Sequence, residues 1–225
     1  MKKFLFLTLV ALFGASFLHA EVDRAKLVQR VETCEAILQT FQIRRDTAIP
    51  PAVWQRAKAV IILSQFKAGF YLGVQDGYGV IMVKQASGRW SVPVLINAGE
   101  ASLGFQLGAK SVETVLIITD AATPRLLFNQ RFNIGVDAKA VAGPKAAEVE
   151  RNNKELLNTP VLAYTKTVGL YAGATVKAGR IARDDAANFL LYNPKYTLPE
   201  LLYSDWVQPT KEVQPLMNLL QSLAP

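Results

Sequence analysis

The side chains that carry most protein catalysis are almost missing from this chain. His19 is the only histidine and Cys34 the only cysteine. His19 sits in an N-terminal stretch with the layout of a secretory leader, so cleavage would leave no histidine at all. Without one, neither a Ser-His-Asp nor a Cys-His arrangement can be built, and an ordinary zinc site lacks its ligands. Asp76, Glu100, Glu113, Asp120 and Asp137 are the acids near the β-rich region. They stand singly, with none of the spacing of a calcium loop. No glycine-rich segment has the GxGxxG or GxxxxGK[ST] form, and Val141-Ala142-Gly143-Pro144-Lys145 is too short to serve as a phosphate loop. Neither catalysis nor a cofactor is expected. The remaining chemistry is that of cations. Arg24, Lys26, Arg30, Arg44 and Arg45 cluster along and just after one predicted helix, a pattern suited to anionic lipid headgroups.

The elements that must hold those cations begin with the leader itself. Met1-Lys2-Lys3, an apolar run from Phe4 to Leu18 and a small residue at Ala20 predict cleavage after Ala20 and export to a bacterial periplasm. The run is short for a retained membrane span, and no cysteine stands at the cleavage point to take a lipid anchor. Loss of Lys2 and Lys3 leaves 23 Lys and Arg against 18 Asp and Glu, lowering the net charge from +7 to +5. That mild basic excess favours acidic surfaces. The absence of a Lys/Arg block, together with the compartment, argues against nucleic acid. About 205 residues remain, enough for one domain over 21–225. A single cysteine allows no internal disulfide, and Cys34 reads as a small buried hydrophobe rather than a reactive thiol.

Leu27, Val28, Val31, Cys34, Ile37, Leu38 and Phe41 recur every three or four positions, predicting an amphipathic helix over 21–45. Such a helix either packs on the body of the domain or lays its basic N-terminal end on a membrane. Strands are expected at Ala59–Leu63, Gly69–Gly73, Tyr78–Lys84, Arg89–Asn97, Ser102–Gly108 and Val112–Thr119. Gln75-Asp76-Gly77 and Asn97-Ala98-Gly99 read as turns, and Ala86-Ser87-Gly88 as a hairpin loop with Pro93 at an edge or bulge. A short helix is expected after Pro124, a strand over Ile134–Ala142, a polar excursion over Lys145–Asn158, and two strands pairing back over Pro160–Gly173 and Ala174–Ala182. Helices follow at Arg183–Tyr192, Leu198–Tyr203 and Thr210–Leu223, the last docking Leu216, Leu219, Leu220 and Leu223.

Three segments share the form Gly-apolar-x-x-Gly: Gly69–Gly73, Gly104–Gly108 and Gly169–Gly173. Glycine within a strand marks sharp bending or close approach by another backbone. Repeated three times, it predicts an α+β fold with a strongly curved, mainly antiparallel β-sheet or barrel flanked by helices.

Gly69-Phe70 through Gly79-Val80, Arg89-Trp90-Ser91-Val92-Pro93, Gly104-Phe105-Gln106-Leu107-Gly108, Ala142-Gly143-Pro144, Tyr164 with Gly169-Leu170-Tyr171-Ala172-Gly173, and Asn188 with Leu191-Tyr192 follow in a fixed order. This ordered set resembles the SYLF domain family, the yeast actin-binding domain family, over about Ala57 to Tyr203. Thr165 and Thr167 replace its usual serines, Lys84 stands where arginine is common, and Lys145 follows the Gly-Pro step where glycine is frequent. The resemblance implies a lipid-binding module: eukaryotic members bind phosphoinositides, partly through an amphipathic N-terminal segment, and some bind actin. Actin is not expected as a partner of an exported chain, which leaves anionic phospholipid at a membrane surface, bound through Arg24, Lys26, Arg30, Arg44 and Arg45. The alternatives are a carrier holding an apolar ligand inside a barrel, or a protein-interaction module in envelope maintenance.

Overall fold

The computed structural model describes residues 24–43, 48–129, 131–134, 140–142, 159–168, 179–192 and 196–225. The leader, Arg44, Arg45, Asp137, the polar excursion over 145–158 and the third glycine segment lie outside the described residues.

The architecture is α+β. Helix α1 (Arg24–Ile43) and a short α2 (Pro51–Trp54) precede two 25-residue strands, β1 (Ala59–Val83) and β2 (Val94–Ile118). After a 3-10 turn (Thr123–Asn129) come β3 (Arg131–Ile134), β4 (Ala140–Ala142), β5 (Val161–Val168) and β6 (Gly179–Arg183). Helices α3 (Asp185–Tyr192), α4 (Leu198–Tyr203) and α5 (Gln214–Leu223) complete the described chain. β1 and β2 pair antiparallel along nearly their whole length, from Ala59 opposite Ile118 to Ile81 opposite Val94. The outer edge of β2 is shared. Its 111–118 half takes β5 and then β4, and its 96–99 segment takes β6 and then β3. Only the β4–β5 pair is parallel among the described pairs.

The expected curvature is present, but the sheet is not closed into a barrel. The strand path runs β3-β6-β2-β5-β4 with β1 branching from β2, and no described pairing joins the outer strands to one another. Among the described residues β6 pairs with β2 and β3, and the rest of the segments expected to pair back, 169–178, lies outside the described residues.

Both turns expected at Gln75-Asp76-Gly77 and Asn97-Ala98-Gly99 are absent. These residues lie inside β1 and β2 and face one another across the ladder, Asp76 opposite Gly99 and Gly77 opposite Ala98. The small residues there answer to packing rather than chain reversal. A straight 25-residue strand would run about 80 Å. Yet a Cβ on Gly77 would lie 2.5 Å from the Ser64 carbonyl oxygen, and one on Gly79 would lie 2.1 Å from that of Ile62. β1 therefore doubles back, bringing residues 62–65 against 77–79. Midway between them the register slips: Phe70 opposes Leu107 and Leu72 opposes Leu103. Three residues of β2, Gly104, Phe105 and Gln106, thus face Tyr71 alone. Bulges of this kind bend a strand and increase its twist. Two of the three Gly-apolar-x-x-Gly segments flank this point, so their glycines serve the bend.

At the far end of the hairpin the loop forms as expected. Gly88 has φ +82°, the Gln85 amide donates to the Arg89 carbonyl at 2.8 Å, and Lys84 bridges to Trp90. Pro93 sits just ahead of β2, where no ladder hydrogen bond is required of it. α1 lies on the sheet with Leu27, Val31, Cys34, Ile37, Leu38 and Phe41 buried. α5 docks Leu216 and Leu220 fully, while Leu219 and Leu223 are partly buried against the core.

Candidate functional site

Of the cations singled out in the sequence, Arg24, Lys26 and Arg30 lie among the described residues. Arg24 Nη1 meets Glu212 Oε1 at 2.8 Å, tying the start of α1 to the turn before α5. The Arg24 guanidinium beside Glu212 holds that carboxyl well below its ordinary range, at about 2. Arg30 lies 3.4 Å from Asp184 and 5.2 Å above the Tyr78 ring, fixing the helix to β1 and to the start of α3. Lys26 is exposed. Arg44 and Arg45 fall outside the described residues, immediately after the exposed Ile43. Two of the five proposed lipid-binding residues are thus engaged in intramolecular ion pairs.

The helix face beneath them is equally committed. Burial of Leu27, Val31, Ile37, Leu38 and Phe41 contributes roughly 1.5–3 kcal/mol per side chain. Electrostatic attraction to an anionic surface is worth about 1 kcal/mol per basic residue. The comparison decides between the two readings of this helix: α1 is a core element. Cys34 sits at its centre, fully buried, with Sγ 3.7 Å from the Ile62 carbonyl oxygen. Burial pushes the thiol up to about 12, so it is a small hydrophobe and not a nucleophile.

The acids with described side chains, Glu113 and Asp120, have separate structural partners. Glu113 pairs with Lys166 at 3.5 Å across β2 and β5. Asp120 caps the 3-10 turn, accepting from the amides of Ala122 and Thr123 at 2.8 and 2.7 Å. Asp76 and Glu100 occupy ladder positions opposite Gly99 and Gln75. No group of three metal-ligating side chains occurs among the described residues.

The motif residues have structural work instead. Trp90 Nε1 donates to the Ala224 carbonyl at 2.8 Å, and Lys84 Nζ donates to the carbonyl of Pro225, so the hairpin clamps the end of α5. Ser91 Oγ accepts from the Val83 amide at 2.9 Å and donates to the Val92 carbonyl at 3.0 Å. The Asn188 side chain accepts from the Leu95 amide at 2.7 Å and donates to the carbonyls of Leu95 and Asp184. Tyr192 Oη donates to the Pro93 carbonyl, and burial raises its pKa well above the ordinary tyrosine value. Between them, the Arg-Trp-Ser-Val-Pro strip and the Asn188…Tyr192 pair anchor both ends of the hairpin loop.

A surface that sequence reasoning missed lies around the C-terminal end of α4. That helix is fixed by a capping box in which Thr197 and Glu200 bond reciprocally. Tyr203, in its last turn, carries the edge of the Phe128 ring at 5.9 Å and the Arg125 guanidinium at 5.6 Å. Asp205 follows, 3.3 Å from Arg89 and 3.0 Å from Ser87 Oγ, and then Trp206, 62% exposed. Beside it a cleft of about 260 Å³ is lined by Arg89, Val92, Leu201, Asp205, Met217 and Gln221. The only signal in the sequence was a tryptophan in the Ser204-Asp205-Trp206 connection between two apolar helices.

The family model described as "Ysc84: Las17-binding protein actin regulator" matches residues 99–223, from β2 to the end of α5. LAS seventeen-binding protein 3 of Saccharomyces cerevisiae is 31% identical over 182 residues, covering 80% of this chain and 39% of that protein. Protein YSC84 of the same yeast is also 31% identical, over 183 residues, with the same two coverages. Human SH3 domain-containing YSC84-like protein 1 is 26% identical over 178 residues, 79% of this chain and 52% of that protein. The chain thus spans about half or less of the length of these relatives. With more than half of the chain matched, and with its Gly-x-Gln-x-Gly bulge and Asn188…Tyr192 anchor inside the matched span, the chain belongs to the Ysc84 family, the SYLF family that its motifs resemble.

Proposed function

We propose that the chain is a non-catalytic module that binds anionic phospholipid at a membrane surface of the bacterial envelope after export of the mature chain. The observation that carries this reading is a basic excess combined with large apolar side chains left in solvent: Phe66, Phe189 and Trp206 are each more than half exposed. Exposed aromatic surface on a net basic chain suits the headgroup layer of an anionic membrane. No helix of the described residues is long and apolar enough to cross a membrane, so the contact proposed is peripheral. A carrier holding an apolar ligand inside a barrel loses its main support, since the sheet is open. The family description and the name of one relative favour a second reading, a protein-interaction module, because both name a bound protein. Actin itself is not carried over to an exported chain.

Co-sedimentation tests the lipid reading. The mature protein is expected to pellet with phosphatidylglycerol-containing vesicles and not with pure phosphatidylcholine, and to be released as salt rises. Equal binding to both vesicle types, or none to either, would count against it and leave the protein partner as the leading idea.

A further inference from the structure

We propose that the lipid-docking face is the surface at the C-terminal end of α4, formed by Arg89, Arg125, Phe128, Tyr203 and Trp206, and not the basic helix α1. This rests on the anionic-lipid reading above. α1 cannot offer an apolar face without leaving the core, and Arg24 and Arg30 already neutralise Glu212 and Asp184. The α4 surface is differently equipped. Phe128, against the Tyr203 ring, is 36% exposed, and Trp206, three residues beyond Tyr203 in the chain, is 62% exposed, so both leave aromatic surface to solvent. An indole favours the headgroup level, where one end is apolar and the other wet. Arg125 rests on the Tyr203 ring and has no carboxylate within ion-pair distance among the described residues. Arg89 does have Asp205, but both side chains are more than half exposed. A pair so open to water holds its partners weakly, and a guanidinium can exchange a carboxylate for a phosphate in bidentate geometry.

The exposed apolar side chains of α3 are less suited. Phe189 and Leu190 stand on α3, whose first turn carries Asp185 and is preceded by Asp184. Those acids hold Arg183 and Arg30 in ion pairs. An anionic bilayer would meet the α4 surface first.

Tryptophan fluorescence reads this directly. The chain has three tryptophans, and Trp54 and Trp90 are buried at 2% exposure each, which makes Trp206 the solvent-facing reporter. On mixed phosphatidylglycerol and phosphatidylcholine vesicles, wild-type emission is expected to shift to the blue and gain protection from acrylamide. Trp206→Ala combined with Arg125→Ala should weaken vesicle affinity by about tenfold or more, and Arg24→Ala combined with Lys26→Ala by less than about threefold. Binding by the wild type with no change in Trp206 emission would overturn the proposal. So would loss of binding in the α1 variant but not in the α4 variant, since the face would then lie on α1. If the wild type bound no vesicle at all, the lipid reading would fail and this one with it.

Discussion

Gly79→Ala is expected to destabilise the domain by about 3 kcal/mol or more, lowering Tm by roughly 10 °C. The added Cβ would sit 2.1 Å from the Ile62 carbonyl oxygen and 2.7 Å from a methyl of Leu63. A flexible side chain could turn away, but a backbone oxygen held in a ladder cannot, so one limb of the doubled β1 must shift. α1 packs on β1, with Cys34 against the Ile62 carbonyl, and the disturbance should reach the helix as well. Gly88→Ala supplies the contrast. Its Cβ meets nothing within 4 Å, and only the positive φ is strained, a cost of about 1–2 kcal/mol. Thermal unfolding of the two variants separates the effects. A Gly79→Ala protein as stable as wild type would mean that the limbs of β1 are not in backbone contact.

The second large effect is expected at Asn188. Asn188→Ala removes the acceptor of the Leu95 amide and leaves that N–H without its side-chain partner in a residue with no solvent exposure. The Leu95 carbonyl keeps the Asp184 amide at 3.1 Å, so the loss falls on the donor. An unsatisfied buried donor costs about 1–3 kcal/mol, and the cavity left by the amide adds to it. A total of about 3 kcal/mol should appear as a lower denaturation midpoint with unchanged slope. An effect below about 0.5 kcal/mol would place this motif residue outside the framework.

Much of this framework is legible in the residues. The three- and four-residue apolar spacing of α1 marks the side chains that are buried, and Gly88 marks the one tight turn of the hairpin. The ordered motifs identify the family, and the repeated glycines announce a curved sheet. What cannot be read is the doubling of β1. Gln75-Asp76-Gly77 and Asn97-Ala98-Gly99 have turn composition, yet the glycine at 77 is needed because another part of the same strand lies against it. Small residues serve reversal and close approach alike, and sequence alone does not distinguish them. The cations are harder still. Arg24 and Arg30 look free along the chain because their acids lie 188 and 154 residues away. Conversely, Arg125, Phe128 and Tyr203 form no pattern in sequence, and only the packing of α4 against the 3-10 turn brings them together.

On the proposed reading a prefolded domain meets the anionic surface with α1 remaining in its core. Amide hydrogen exchange of the mature protein, free and on phosphatidylglycerol vesicles, tests this most directly. Amides of α1 from Leu27 to Phe41 are predicted to exchange equally slowly in both states, with new protection confined to the segments around Arg125–Phe128 and Tyr203–Trp206. Faster exchange along α1 on vesicles would show the helix leaving the sheet to enter the lipid, and would contradict the account.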